Sequence, residues 1–260
     1  MSAAVGMALA SILIPLACVG WNTGLPARAL RPWVERFATG GSVALAVVSF
    51  IAGAPAVLGI GAFLISSALF TLTFLSRLPH QRPAVAVGDS APDFALYDSQ
   101  GVARRLSDYA GEWVVLKFHR GYWCPYCVRE LHDWEEQLDG LATRRTRLIA
   151  ISTDRVDELR EFHRKTGLRM TLLADPANLA IRLYNLQNRN FTPRRGPFRE
   201  LAIPTTLLID DHGTVRWLDQ ASDFRTRRSA QEVMARIDMF LPGAPFDTCD
   251  VCAVQEPAPG

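Results

Sequence analysis

The charged residues of this 260-residue chain are distributed so unevenly that they limit what each part of it can fold into. Most of its 28 Lys and Arg and 26 Asp and Glu residues lie after position 84. A long stretch that is poor in charge is typical of membrane-spanning helices, whereas the remainder has the composition of a soluble domain. The charged residues before position 85 are Arg28, Arg31, Glu35, Arg36, Arg77 and Arg82.

Two uncharged runs in this first part have the length of membrane helices. Ala3 to Trp21 is close to the roughly 20 residues that cross a bilayer, and it lacks the preceding basic residues of a signal peptide. For Ser42 to Ser76 we expect one kinked or overhanging span, with a tight hairpin of two spans as the alternative. Segments 53–55 and 59–61, which contain glycine and proline, are the points where it would bend or break. We therefore predict a membrane region over residues 1–82 with two, or alternatively three, spans.

The arginines between the two runs predict the orientation in the membrane. By the positive-inside rule, Arg28, Arg31 and Arg36 place this loop in the cytoplasm. With two spans, the soluble domain then faces the extracytoplasmic space; with three spans, it faces the cytoplasm. Arg77 and Arg82, which follow the second run, weaken the extracytoplasmic assignment, which is nevertheless our expectation.

Residues 83–242 alternate between short apolar runs and amphipathic stretches. This pattern predicts a three-layer α/β/α domain. Asp210 to Gly213 has the composition of a hairpin turn, and Ser229 with Glu232 forms a capping box at a helix start. The predicted strands are 113–118, 148–151, 170–173, 205–209 and 215–218, and the predicted helices are 127–138, 154–166, 176–184 and 229–240.

Four of the five cysteines form two Cys-x-x-Cys pairs, Cys124 with Cys127 and Cys249 with Cys252. Cys18, in the first apolar run, is most simply a small membrane residue. Cys124 follows a predicted strand and opens a predicted helix, where the helix dipole stabilises a thiolate. A second thiol in the first turn can then release a mixed disulfide. We predict redox chemistry here; the alternatives are a zinc site shared with the second pair and a buried structural pair.

Five motifs of the soluble domain occur together in the order typical of one family. They are GDSAPDF at 88–94, KFHRGYWCPYCVREL at 117–131, ISTD at 151–154, LADP at 173–176 and IPTTLLID at 203–210. From about Val87 to Leu241 the chain thus resembles the AhpC/TSA peroxiredoxin-like redoxins. This resemblance implies a thioredoxin-like fold and a thiol-dependent oxidoreductase that reduces peroxides or disulfides with its cysteine pair and no other cofactor.

The resemblance allows two mechanisms for the same cysteine pair. In a thioredoxin-like mechanism, Cys124 is the nucleophile and Cys127 resolves the intermediate. In a peroxiredoxin-like mechanism, Cys127 becomes a sulfenic acid, Glu130 follows it in the motif, and Cys124 condenses with it. The sequence departs from typical peroxiredoxins because Arg120 replaces the motif proline and Pro204 lies near the position of their active-site arginine.

The same resemblance implies the roles of residues around the cysteines. Trp123 and Pro125 belong to the redox motif, and Trp123 is expected to shield the disulfide and shape partner binding. Pro204 is similar to the cis-proline that faces the disulfide in this fold; the alternative is an ordinary trans proline at a strand start.

Three polar residues close to the motif each have a structural alternative. Arg120 either supplies a positive charge to the cysteines or is a solvated loop arginine. Glu130 either buffers protons or forms a salt bridge on its helix. For His119, a proton-transfer role is possible, but a structural role is the simpler expectation.

The tail, residues 243–260, is expected to be flexible, and its Cys249 and Cys252 are candidate relay thiols. Metal binding and an incidental pair are the alternatives. The net charge of +2 argues against a nucleic-acid partner, and no Gly-rich dinucleotide motif is present. We therefore expect electrons to come from a partner thiol protein. The rival functions are a TlpA-like thiol-disulfide oxidoreductase and a Sco-like metal-delivery protein.

Overall fold

The structure is a computed structural model of the chain. It describes residues 31–53, 55–75, 77–79, 81–188, 200–225 and 227–241, together with Val5, Leu9 and Ala10. The chain divides into two compact units, with the boundary between Arg77 and Leu78.

Over residues 31–75 the first unit forms two helices, α1 (Arg31–Ile51) and α2 (Ala56–Leu75), which contact each other. The run from Ser42 to Ser76, for which we expected one kinked or overhanging span, is divided between these two helices at the predicted segment 53–55. Gly53 has a φ of +82°, and Pro55 has no N–H to donate to a preceding turn. Segment 59–61 does not break the helix. Arg31 and Arg36, expected in a loop, lie in α1.

Among the described residues, no helix qualifies as long and apolar enough to cross a membrane. Most of the first apolar run, including Cys18, lies outside the described residues. The membrane spans therefore stay predictions from the sequence.

The second unit is built on a seven-stranded sheet with the order β2-β1-β5-β4-β3-β6-β7. β3, β4 and β5 are parallel to each other, and the remaining pairs are antiparallel. The strands are β1 (Ala95–Asp98), β2 (Ala103–Arg105), β3 (Trp113–Phe118), β4 (Thr146–Ser152), β5 (Thr171–Ala174), β6 (Thr205–Ile209) and β7 (Val215–Gln220).

Helices cover both faces of this sheet, which confirms the predicted α/β class. Alternate residues of β3 contribute to two separate cores: Val115 packs with α3, α4, α5 and α7, whereas Leu116 and Phe118 pack with α6. The helices are α3 (Pro125–Glu135), α4 (Leu138–Thr143), α5 (Val156–Thr166), α6 (Leu179–Leu183) and α7 (Ala230–Phe240), and Leu106–Tyr109 is a 3₁₀ helix.

The order of these elements places one loop at a defined edge of the sheet. β3 ends at Phe118 and α3 begins at Pro125, so residues 119–124 lie at the carboxyl edge of β3. β6 runs antiparallel to β3 with Thr205 opposite Phe118, which brings the start of β6 to the same edge. The cysteine motif and the Ile-Pro-Thr motif are therefore neighbours in space although about 80 residues separate them in the chain.

Candidate active site

The two cysteines of the first pair lie at the N-terminus of α3. Cys124 is the N-cap residue, with an extended backbone (φ −88°, ψ 111°), and Pro125 occupies the first turn, where its missing N–H costs nothing. The amide of Cys127 donates to the carbonyl of Cys124 at 2.9 Å. Both cysteines are free thiols, with 2% and 0% of their surface exposed.

The two thiols differ in proton affinity because one donates a hydrogen bond to the other. This bond from the Cys127 thiol lowers the pKa of Cys124 to about 6, and the Cys127 amide, Arg120 and Arg227 support the decrease against burial. The same bond and burial raise the pKa of Cys127 to about 12, which His119 and Arg227 oppose. The negative charge of the pair therefore resides on Cys124.

Arg120 is a buried cation beside this charge. Its guanidinium lies 4.5 Å from the ring centroid of Phe224 and 5.2 Å from that of Trp123. Burial lowers the pKa of Arg120, and its interactions with Cys124 and Cys127 oppose this. With 8% of its surface exposed, Arg120 is not a solvated loop residue. It is placed to stabilise the Cys124 thiolate.

The loop before Cys124 requires a glycine. Gly121 has a φ of +141°, and a Cβ atom there would lie 2.5 Å from Trp123 Nε1 and 2.8 Å from Asp154 Oδ1. Asp154 fixes the loop further, because its Oδ2 accepts from the Tyr122 amide at 2.9 Å and from the Ser152 hydroxyl at 2.7 Å. Trp123 stays 45% exposed next to the cysteines, as a partner-binding residue would.

A buried group of three charges lies behind Cys127. Glu130 Oε1 accepts from Lys117 Nζ at 2.5 Å, and Glu130 Oε2 is 3.2 Å from Arg227 Nε. Lys117 also donates to the Thr206 hydroxyl at 3.3 Å. Arg227 Nη2 reaches to 3.9 Å from Cys127 Sγ, so the group connects β3, α3 and the segment before α7 with the sulfur. The partners of Glu130 lie outside its own helix.

Lys117 and Arg227 were not predicted from the sequence as site residues. Lys117 occupies a predicted buried strand, where a charged side chain is unusual. This burial could have marked Lys117 as a candidate site residue. Arg227 lies 100 residues after Cys127 in the chain. It is one of several arginines before α7, so no local sequence pattern distinguishes it. The site combines residues from four elements, and only the fold shows which of them meet.

His119 is the first residue after β3. Its amide donates to the Ile151 carbonyl at 2.9 Å, and its side chain is 1% exposed. Among the described residues, neither ring nitrogen has a hydrogen-bond partner of ordinary length. The ring nevertheless acts on the pKa of Cys127 and therefore lies beside that thiol.

The expectation of a cis peptide bond before Pro204 is wrong. No peptide bond in the described part of the chain is cis, and this one is trans. The surrounding backbone is held in an extended path, since the Ile203 amide donates to the Leu186 carbonyl at 2.7 Å and the Pro204 carbonyl accepts from Ala221 at 2.9 Å. Pro204 is thus a trans proline directly before β6.

Cys249 and Cys252 lie outside the described residues, so the structure tests neither a relay nor a zinc site that includes them. The described residues bring together the other predicted site residues at one edge of the sheet. These are Cys124, Cys127, Trp123, Pro125, Arg120 and Glu130.

A model of the AhpC/TSA family matches residues 87–218. The thiol-disulfide oxidoreductase ResA of Geobacillus kaustophilus is 33% identical over 137 residues, which are 52% of this chain and 70% of that protein. Peroxiredoxin 2 of Picrophilus torridus is 30% identical over 141 residues, which are 52% of this chain and 65% of that protein. Among solved structures, the peroxidoxin BcpB of Mycobacterium tuberculosis matches with a TM-score of 0.52 at 23% identity, covering 60% of this chain and 97% of the other.

Proposed function

The chain belongs to the AhpC/TSA family of thioredoxin-fold oxidoreductases, and from this premise we propose that it reduces disulfides by a two-cysteine mechanism with Cys124 as the nucleophile. The carrying observation is the position of Cys124 at the N-cap of α3, where the helix N-terminus and the buried Arg120 stabilise a thiolate. A thiolate at this position attacks a substrate disulfide and forms a mixed disulfide. Cys127 then attacks Cys124 and releases the reduced substrate.

The similarity to ResA, which is named as a thiol-disulfide oxidoreductase, supports this proposal. The exposed Tyr122 and Trp123 beside Cys124 favour a polypeptide substrate, since they offer an apolar contact next to the reactive sulfur. Electrons would come from a partner thiol protein that reduces the Cys124–Cys127 disulfide.

Trapping the intermediate tests the mechanism. In full-length Cys127→Ser protein, Cys124 is expected to accumulate as a mixed disulfide with a substrate protein, identified by mass spectrometry. Cys124→Ser protein is the matched control and is expected to trap nothing. Trapping on Cys127 in the control, with none on Cys124 in the first variant, would contradict the proposal.

Peroxide reduction is the second candidate, and the burial of Cys124 supports it. A sulfur with 2% of its residue exposed is accessible to a small hydroperoxide more readily than to a protein. Because the pKa of Cys127 is raised, Cys127 stays protonated, and we expect the sulfenic acid to form on Cys124 in this reaction too. Sulfenic acid mapping after hydrogen peroxide treatment of the two Ser variants tests this. A fast reaction at Cys127 would instead support the peroxiredoxin-like assignment of the pair.

We also propose that the chain is anchored in a membrane with its redox domain on the extracytoplasmic side. The proposal is supported by the two uncharged runs and by the arginines between them. Full-length protein is expected to stay with the membrane after an alkaline wash, and its redox domain to be cleaved by protease added to spheroplasts. Release by the wash would contradict the anchor; protection from protease would contradict the orientation.

The tail pair Cys249–Cys252 is proposed to relay electrons to the Cys124–Cys127 disulfide. Cys249 follows the last described residue, Leu241, by eight residues, which extend to about 27 Å. Phe240, next to Leu241, stacks on Trp113 at the start of β3. From there, the six residues of β3 span about 20 Å towards the cysteine loop. The double variant Cys249→Ser/Cys252→Ser is expected to lower turnover with the physiological reductant. Unchanged turnover would exclude the relay, and zinc bound to the reduced wild-type chain would favour a metal-binding role for the pair.

A further inference from the structure

The resolving step of the proposed mechanism requires Cys127 to lose a proton. Cys127 is a protonated thiol with 0% exposure, and it must lose its proton to attack the mixed disulfide on Cys124. Bulk water does not contact this thiol, so a neighbouring side chain must accept the proton.

Besides Arg120, a cation that cannot accept a proton, the charged or titratable groups that act on Cys127 are Cys124, His119 and Arg227. Cys124 can take the proton of Cys127 only while it is a thiolate, and this ability is lost once its sulfur is bonded to the substrate. Arg227 is a cation and cannot accept a proton. His119 is the remaining group of the three.

Glu130 is close to this region, but both of its oxygens are engaged. Lys117 Nζ lies 2.5 Å from Oε1, and Arg227 Nε lies 3.2 Å from Oε2. A proton on either oxygen would remove the negative charge that two buried cations share. Glu130 is therefore a structural centre of the ionic group rather than the acceptor.

The surroundings of His119 fit a proton acceptor. The ring is buried, and neither nitrogen has a hydrogen-bond partner of ordinary length among the described residues. Leaving a buried polar group without a partner destabilises the fold, which a purely structural histidine would not explain. The backbone hydrogen bond to Ile151 holds the residue at the end of β3.

We propose that His119 is the general base of the resolving step. Cys124 first attacks the substrate disulfide, forms a mixed disulfide and expels one thiolate. His119 then takes the proton of Cys127, and the resulting thiolate attacks the Cys124 sulfur. This forms the Cys124–Cys127 disulfide and expels the second thiolate, while His119 returns its proton to the solvent. The dithiol loses two electrons, and the substrate disulfide gains them. This inference rests on the proposed function.

A model disulfide separates the two steps. Reduced full-length protein carrying Cys18→Ser, Cys249→Ser and Cys252→Ser is mixed with 5,5′-dithiobis(2-nitrobenzoate) in a stopped-flow spectrometer. The first coloured thiolate is released when Cys124 attacks, and the second when Cys127 resolves. The variants are His119→Gln, which keeps a hydrogen-bonding side chain, and the control His132→Gln, an exposed histidine of α3.

For His119→Gln we expect an unchanged first phase and a second phase slowed by about 100-fold, as is typical when a general base is removed. His132→Gln should match the parent protein in both phases. An unchanged second phase in His119→Gln, or an equal slowing of both phases, would overturn the inference. Failure of the parent protein to release the first thiolate through Cys124 would instead contradict the proposed function itself.

Discussion

Arg120 and Cys124 are the two residues on which the reactivity of the site depends most directly. The thiolate lies at a helix N-cap, receives a hydrogen bond from Cys127 and has a guanidinium beside it. The guanidinium is held in place by the rings of Phe224 and Trp123. These contacts favour the charged form of Cys124 over the protonated form.

Removing the guanidinium should make Cys124 less acidic. In Arg120→Gln protein the pKa of Cys124 is expected to increase by about one pH unit or more, because an opposite charge is lost next to the thiolate. The pH dependence of Cys124 alkylation measures this. Arg129 is an exposed arginine of α3, and Arg129→Gln is the matched control, which should leave the midpoint of Cys124 alkylation unchanged. An unchanged midpoint in Arg120→Gln would mean that Arg120 does not stabilise the thiolate.

The sequence pointed to the cysteine pair and to several residues around it, but not to Lys117 or Arg227. Strand, turn and helix signals placed Cys124 at a helix start, and the structure agrees. Arg120 could not be assigned from sequence, because its burial depends on Phe224, more than 100 positions away. The isomer of Pro204 was also inaccessible from the sequence, since the resemblance implied cis and the peptide bond is trans.

At the level of secondary structure, the strongest local signals predicted the elements best. The strands 113–118 and 205–209 agree with β3 and β6, because both consist largely of apolar and β-branched residues. The Ser229 hydroxyl accepts from the Glu232 amide at 3.2 Å, which confirms the capping box, and Gly167 ends α5 with a φ of +67°. β1 and β2 were missed, since β2 is three exposed residues whose pairing depends on distant strands.

The ionic group that connects β3 to α3 makes a prediction about stability. Lys117→Met leaves Glu130 buried with one of its two cations, and breaking a buried ion pair in this way costs about 3–5 kcal/mol. The free energy of unfolding, measured in urea, should decrease by about this amount. Arg147→Met, which breaks an exposed pair with Glu112, is the control and should change it by less than about 1 kcal/mol. A Lys117→Met protein as stable as wild type would show that the pair does not stabilise the fold.

For the whole molecule, the two compact units imply that the redox domain folds by itself. All seven strands and every described site residue lie after the boundary at Leu78. The fragment 78–260 is therefore expected to unfold in one cooperative transition and to keep the alkylation behaviour of the full chain. A fragment that shows no cooperative transition would mean that the first unit is required for folding.

The division of the chain was visible in its charge distribution, whereas the helices of the first unit were not predicted accurately. Uncharged composition shows where helices can lie but not where they begin, so α1 extends back to Arg31. The break near Pro55 was anticipated as a possible bend, because glycine and proline interrupt helices in any surroundings.

The pH dependence of cysteine alkylation tests the central claim, that Cys124 carries the thiolate, most directly. Reduced full-length protein, with Ser at positions 18, 249 and 252, is treated briefly with iodoacetamide from pH 4 to 10, and the modified cysteine is identified by mass spectrometry. We expect the label on Cys124 with a midpoint near pH 6 and little on Cys127 below pH 9. Preferential labelling of Cys127, or a Cys124 midpoint near that of an ordinary thiol, would contradict this account.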